Sequence, residues 1–112
     1  MRKTKVSTVD LIRISIESAN GRISILARGT VPTDGWVDAE LVDTPEVPDD
    51  GCRHFDFVAV APEGVTPRMR LPIAAARTIQ AGPGRVCVMV HAAINDDKAV
   101  CVELEHPDPI DF

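Results

Sequence analysis

Three side chains with metal-binding chemistry alternate along one predicted strand near the end of the chain. Cys87, Met89 and His91 are spaced two apart, so they share one face of an extended strand, and Cys101 is expected on the matching face of the returning strand. Thiolate, thioether and imidazole groups are ligands of Cu(I) and Zn(II). Neighbours on a strand face are ~7 Å apart at a rise of about 3.3 Å per residue, too far to share one ion without help from across the hairpin. We therefore expect packing in a second layer or at a subunit contact, with His91 at its rim, and no metal or other cofactor.

A second Cys/His pair, Cys52 and His54, follows an acidic loop. A nucleophilic cysteine needs a base within hydrogen-bond distance and a positive setting that lowers the pKa of its thiol, which Arg53 could supply. In an extended chain Cys52 and His54 lie on the same side, but their spacing does not fix a catalytic geometry. We interpret the pair as a loop thiol beside an exposed histidine at the start of a strand, and expect no catalytic residue.

The loop before this pair carries the carboxylates of Asp43, Glu46, Asp49 and Asp50. Calcium loops of the EF-hand type place their ligands at one-three-five spacing around a central glycine, which this stretch lacks. We interpret it as a solvated loop. The sequence also contains no Gly-rich phosphate loop and no HExxH, GxSxG or paired CxxC motif.

Alternation of apolar and polar residues predicts short strands that position these groups. Asn20-Gly21, between two such runs, is typical of a hairpin turn. The clearest predicted strands cover 9–17, 22–30, 37–42, 54–61, 85–92 and 99–104.

The segment 65–81 is compatible with two structures. Met69, Leu71 and Ile73 alternate as in a strand, whereas Pro72 and Gly82 would frame a short helix near 73–81. We favour a strand up to about residue 74, because so short a helix in a β protein needs strong packing to persist.

About seven strands separated by turns predict an all-β fold, a single antiparallel β-sandwich of the immunoglobulin-like kind. We expect residues 1–112 to form one domain, with loosely ordered tails at 1–7 and 105–112. The run Gly29-Thr30-Val31-Pro32-Thr33-Asp34-Gly35-Trp36 interrupts the alternation, and we interpret it as the corner where the chain passes from one sheet to the other.

This 29–36 run, together with Asp50-Gly51, the stretch 55–59 and the Val-rich strand ending at His91, resembles a family of small uncharacterised bacterial proteins. The resemblance covers the middle half of the chain and rests on turn and core residues. It implies a compact β fold, and no activity is attached to it.

Composition and charge limit the classes of partner that the chain is expected to bind. The net charge is −5 and aromatic residues make up 4% with no Tyr, so neither a basic face for nucleic acid nor a base-stacking platform is expected. No apolar run approaches the ~20 residues of a membrane helix. With three cysteines and no signal-peptide-like apolar run, we expect reduced thiols and a cytoplasmic location.

The sequence therefore favours a small non-enzymatic module that binds another protein or a second copy of itself, the latter giving a homodimer. Semi-apolar outer faces such as Val58 and Val60, or Ala74 and Ala76, are the expected docking surfaces. The alternative is a metal-binding protein that uses Cys87 and its neighbours in the last hairpin.

Overall fold

The computed structural model describes residues 2–17, 21–80 and 85–102. The strands in these residues are β1 (Thr4–Lys5), β2 (Thr8–Glu17), β3 (Arg22–Thr33), β4 (Val37–Asp43), β5 (Arg53–Val60), β6 (Arg68–Gln80), β7 (Arg85–His91) and β8 (Asp96–Val102). No helix occurs in this part of the chain.

Two sheets pack face to face, which confirms the predicted all-β sandwich. The three-stranded sheet has the order β2-β3-β6 and is antiparallel throughout. In the five-stranded sheet, one side of β5 pairs with β4. The other side pairs with β7 along residues 53–56 and with β1 at residues 58 and 59, and β8 pairs with the far side of β7. The pairing of β5 with β7 is parallel, a departure from the expected purely antiparallel arrangement.

The segment with two possible structures is a strand from Arg68 to Gln80. β6 pairs with β3 from Arg68, opposite Thr33, to Gln80, opposite Arg22. Ala75 and Ile79 point into the core while their neighbours are exposed, which is the two-residue period of a strand. The alternative of a short helix near 73–81 is therefore wrong for 73–80, because pairing with a long neighbour outweighs the local helix signals of Pro and Ala.

The predicted corner at Trp36 is confirmed. β3 ends at Thr33 in the three-stranded sheet, and β4 begins at Val37 in the five-stranded sheet. Gly35 turns the chain with a φ of 93°, in the left-handed region that favours glycine. The half-buried indole of Trp36 packs against the core, and its Nε1 donates to Thr33 Oγ1 at 3.1 Å.

The core lies between the sheets, and β3, β5 and β7 contribute most of its large side chains. Its largest fully buried side chains are Phe55, Phe57, Ile23, Ile25, Leu41, Val6, Val9, Val88 and Val90. β5 is buried on its other face as well, because Val58 and Val60 are only 8% and 6% exposed. The expectation that Val58 and Val60 form an open docking face is thus wrong, while Ala74 and Ala76 are exposed.

The N-terminal segment is part of the sandwich, so the expected loose tail at 1–7 is not observed for 2–7. Val6 is fully buried and its N–H donates to Phe57 O at 3.0 Å, while Ser7 N–H donates to Thr30 O at 2.9 Å. These two bonds carry the chain from the five-stranded to the three-stranded sheet. The predicted tail at 105–112 lies outside the described residues.

The turn between β7 and β8 hydrogen-bonds to the segment that passes from the five-stranded to the three-stranded sheet. Asn95 Oδ1 accepts from Val9 N–H and Asn95 Nδ2 donates to Val9 O, both at 2.8 Å. The side-chain amide of Asn95 thus pairs with Val9 as a neighbouring strand would.

Candidate binding cleft

The parallel pairing of β5 and β7 brings most of the reactive side chains onto the outer face of the five-stranded sheet. His54 lies opposite Met89, and Asp56 lies opposite His91. Alternation places these residues on the face away from the core, since Phe55 and Val90 between them are fully buried.

Cys52 and Cys87 stand just before these pairs and form a disulfide, with Cα atoms 4.6 Å apart. The expectation of reduced thiols is therefore wrong for these two residues. Parallel neighbours in register bring their Cα atoms close enough for such a bond. The disulfide joins the start of β5 to β7, and it removes both sulfurs from nucleophilic or thiolate chemistry.

Two imidazole rings and two carboxylates form a continuous chain of hydrogen bonds beside the disulfide. His54 Nδ1 lies 2.9 Å from His91 Nε2, and the rings are nearly parallel, at an angle of 6°. His54 Nε2 lies 3.0 and 3.1 Å from the two carboxylate oxygens of Asp50. His91 Nδ1 lies 2.9 Å from Asp96 Oδ1.

The two ends of this series of hydrogen bonds have defined donors. Ionised carboxylates only accept, so His54 Nε2 donates to Asp50 and His91 Nδ1 donates to Asp96.

The carboxylate of Asp50 ends this series of hydrogen bonds on the side of His54. It accepts from Cys52 N–H at 3.0 Å and from His54, and these two hydrogen bonds lower the pKa of Asp50 below its usual 3.8. The other end of the same loop is fixed by Thr44, whose N–H donates to His54 O at 3.1 Å and whose hydroxyl donates to Asp56 at 2.8 Å. The β4–β5 loop is therefore held at both ends over the imidazole pair.

A cleft of about 540 Å³ opens between this loop and the sheet. Its walls are apolar groups of Pro45, Val47, Pro48 and Met89. Its polar lining is supplied by Lys5, Thr44, Glu46, Asp50, His54, Asp56 and His91. An apolar wall with a few converging polar groups is the usual construction of a ligand site.

The sequence-predicted metal candidates divide into two groups. Met89 and His91 both line the cleft, as their shared strand face implies. Cys87 is held in the disulfide, and β8 places Cys101 opposite Val86 rather than opposite Cys87. Among residues 2–17, 21–80 and 85–102, no group of three or more His, Cys, Asp or Glu side chains is arranged to hold a metal ion.

The sequence does not predict the pairing of His54 with His91. Its spacing relates His54 to Cys52, its neighbour along the chain, and His91 to its own hairpin. The available signal was that both histidines fall at outward positions of their strands, each flanked by core residues. What the sequence does not reveal is that β5 and β7 are adjacent.

Comparison with models of known families, with curated proteins and with solved structures finds no match. The part of the chain that the structure describes has no helix long and apolar enough to cross a membrane. Any functional assignment therefore rests on the chemistry of the cleft.

Proposed function

We propose that the protein is a non-enzymatic binding module and that the cleft beside the β4–β5 loop holds its ligand. The observation that carries this proposal is the combination of an open apolar wall and converging polar groups in one cavity of about 540 Å³. Cavities of roughly 300–1,000 Å³ with this construction are the common form of small-ligand sites.

The reactive side chains are already held in hydrogen bonds or in the disulfide, and this favours ligand binding over catalysis. A general base must aim a free lone pair at its substrate, but all four ring nitrogens of His54 and His91 are already in hydrogen bonds. A cysteine nucleophile needs a thiolate, and Cys52 is in the disulfide. A hydrolase or transferase built on Cys52 and His54 is thus unsupported.

The charges of the cleft favour a positively charged ligand group on an apolar stem. Glu46, Asp50 and Asp56 bring three carboxylates to the lining, against the ammonium group of Lys5. An arginine or lysine side chain would place its aliphatic part on the apolar wall and its charged end on the carboxylates. We therefore propose a basic segment of a protein partner as the ligand, and the proposal needs no cofactor.

The test is a titration of the full chain with the peptide acetyl-Leu-Arg-Leu-amide, followed by backbone amide NMR. We expect shifts at Val47, His54 and Met89, and none with the peptide in which Glu replaces Arg. Met89→Ala should weaken peptide binding about tenfold, because it removes part of the wall. The matched control is Met69→Ala, at a half-exposed methionine outside the cleft. Equal binding of both peptides, or shifts confined to another surface, would contradict the proposal.

The compartment is also part of the proposal. The sequence favours the cytoplasm, but thiols there are kept reduced, and the Cys52–Cys87 disulfide favours an oxidising environment. We propose that the module works where this bond persists.

A second candidate function, self-association, is supported by the edge strand β6. This strand is 13 residues long and lies at the end of the order β2-β3-β6. Its exposed small residues Ala74 and Ala76 present no charge, and Arg77 turns away to donate to Leu41 O of β4 at 2.9 Å. Such an edge can pair with a second copy of itself.

A further inference from the structure

We propose that the acidic segment 103–112 docks on the outer face of the three-stranded sheet of the same chain. The contact is centred on Arg13 of β2 and Arg28 of β3. The cleft lies on the outer face of the other sheet, so this inference goes beyond the proposed function and does not depend on it.

The three-stranded sheet is basic although the whole chain is acidic. Its strands hold six arginines and two carboxylates, those of Asp10 and Glu17, whereas the net charge of the chain is −5. Arg77 is directed at β4, where it donates to Leu41 O. The other five arginines are exposed: Arg13, Arg22, Arg28, Arg68 and Arg70. The fold therefore concentrates on this sheet a positive charge that the overall composition does not reveal.

Arg13 and Arg28 belong to a group of four neighbouring side chains, the arginine–leucine quartet. Arg13 lies opposite Leu26 and Leu11 lies opposite Arg28, so the arginines occupy one diagonal and the leucines the other. All four point away from the core, because the residues between them along each strand pack into it. Diagonal neighbours of an antiparallel pair are about 7–8 Å apart. Leu11 is 39% exposed, so the quartet offers two cations beside an accessible apolar surface.

The two guanidinium groups of the quartet lack an acidic partner within the described part of the chain. Neither forms an ion pair or a side-chain hydrogen bond there, and Asp10 on the same strand as Arg13 forms no ion pair with them. Guanidinium presents a planar fork of donors that matches the two oxygens of a carboxylate. A carboxylate is therefore the group that would complete this surface.

The segment 103–112, which lies outside the described residues, has the complementary chemistry. It contains four carboxylates and no lysine or arginine. Asp108 and Asp111 can pair with the two arginines of the quartet, and Ile110 between them can contact the leucines. The carboxylates that line the cleft would repel this segment, so charge directs it to the three-stranded sheet.

The segment starts close enough to the quartet to reach it. It follows β8, which packs against β2 at one side of the sandwich and begins beside Val9, the partner of Asn95. Packed sheets are about 10 Å apart. Asp108 and Asp111 follow Val102 by six and nine residues, which span up to about 20 and 30 Å when extended. Exposed ion pairs are weak, but a tethered segment has an effective concentration in the millimolar range, so weak pairs suffice.

The experiment measures paramagnetic broadening of backbone amide signals in the ¹⁵N-labelled full chain. A nitroxide is attached to the thiol introduced by Phe112→Cys, and Cys101→Ser leaves this as the one thiol outside the disulfide. At low salt, the amide signals of the quartet should lose about half of their intensity or more, and those of Val47 and His54 in the cleft should keep theirs. The loss should disappear in about 0.5 M NaCl, where the Debye length is ~4 Å.

Two double variants of the nitroxide-labelled chain locate the contact. Arg13→Gln with Arg28→Gln should abolish the broadening, because it removes both cations of the quartet. Asp108→Asn with Asp111→Asn should do the same while leaving the sheet unchanged. The second variant decides the question if the first does not fold.

The matched control is Arg68→Gln with Arg70→Gln, which removes the same charge from exposed positions of β6 in the same sheet. It should retain the broadening of the quartet. The proposal is overturned if the parent shows no broadening of the quartet at low salt, if the broadening persists in about 0.5 M NaCl, or if the two arginine variants behave alike.

A mixing experiment tests a second copy as the source of the segment. Nitroxide-labelled chain without ¹⁵N is mixed with ¹⁵N-labelled chain without nitroxide. We expect no broadening in this mixture, because the contact forms within one chain. Broadening of the quartet as strong as in the singly labelled chain would place the segment on a second copy and overturn the proposal.

Discussion

At the scale of single residues, Gly29 shows how closely β2 and β3 approach each other. A Cβ atom at this position would lie 1.7 Å from Thr8 O, a backbone atom that cannot move without disturbing the pairing. The register of β2 and β3 shifts between Val9 and Leu11, next to this contact. The irregularity therefore depends on the absence of a side chain at Gly29.

We predict that Gly29→Ala lowers the free energy of unfolding by about 4 kcal/mol or more, in the range of severe core substitutions. The control is Gly64→Ala, where a Cβ meets nothing within 4 Å but φ is +82°. That backbone strain alone should cost about 1 kcal/mol. Urea denaturation of both variants measures the difference, and similar losses would show that the contact with Thr8 is not limiting.

Asp50 makes the stability of the folded protein depend on pH in the acid range. Hydrogen bonds from Cys52 N–H and His54 lower the pKa of Asp50 in the folded protein, so the charged form is favoured by folding. A lowered pKa contributes stability above the unfolded value near 3.8, and this contribution is lost as the pH falls through the folded pKa.

We predict that Asp50→Asn is less stable than the parent at pH 6 and that the gap in the free energy of unfolding narrows as the pH falls below about 4. Urea denaturation from pH 6 to pH 2 measures the gap. Asp49→Asn is the control, because it removes a carboxylate from the same loop and leaves the bond to His54 in place. A gap that stays constant across this range would mean that Asp50 does not act through its charge.

At the scale of elements, the disulfide is the feature on which the site depends most. It joins residues 35 apart in sequence and fixes the start of β5 against β7. The contacts of His54 with Asp50 and His91 are formed within a few residues of it. Cross-linking also restricts the unfolded chain, which is the principal source of disulfide stability in the chain-entropy model.

We predict that replacing Cys52 and Cys87 together by Ser lowers the free energy of unfolding by about 4 kcal/mol, the value for a loop of this length. Adding reductant should destabilise the parent equally and leave the double variant unchanged. Alkylation of the unfolded parent should label one thiol without reductant and three with it. Three labelled thiols without reductant would show that the bond is absent.

The elements differ in how far the sequence predicts them. Alternation identifies the inward residues of β7, Val86, Val88 and Val90, and the Asn20-Gly21 signal predicts the pairing of β2 with β3. Both signals are local. The pairing of β5 with β7 is not, since the chain passes through β6 in the other sheet between them. The contact of His54 with His91 and the Cys52–Cys87 bond both follow from that pairing. The sequence therefore predicts which face of its strand each residue occupies, but not which residues of different strands meet.

At the scale of the whole molecule, antiparallel association of two β6 strands would keep their charged side chains apart. Pairing centred on residue 75 would place Ala74 of one copy opposite Ala76 of the other. Arg68 and Arg70 of the two copies would then lie at opposite ends of the shared sheet. Repulsion between the copies is thereby small.

We predict a dimer of the 12.1 kDa chain in native mass spectrometry and light scattering. Ala74→Lys with Ala76→Lys should make it monomeric by placing like charges opposite each other. The control is Asp10→Asn with Ser15→Lys, which raises the net charge by the same amount on β2, at the opposite edge of the same sheet. A parent protein that is monomeric at 100 µM would reject this candidate function.

The bond between Val9 and Asn95 also bears on how the protein folds during synthesis. The two residues are 86 apart in sequence, and Ala93 and Ile94 donate to Val6 and Ser7 across a similar span. The hairpin of β2 with β3 can form as soon as it leaves the ribosome, whereas the bonds of Val6, Ser7 and Val9 to residues 93–95 must wait for that turn. Closing so long a loop costs conformational entropy before any contact repays it, so folding is expected to be slow. The stretch from Val6 to Val9 therefore keeps some of its hydrogen bonds unmade until nearly all of the described chain has been synthesised.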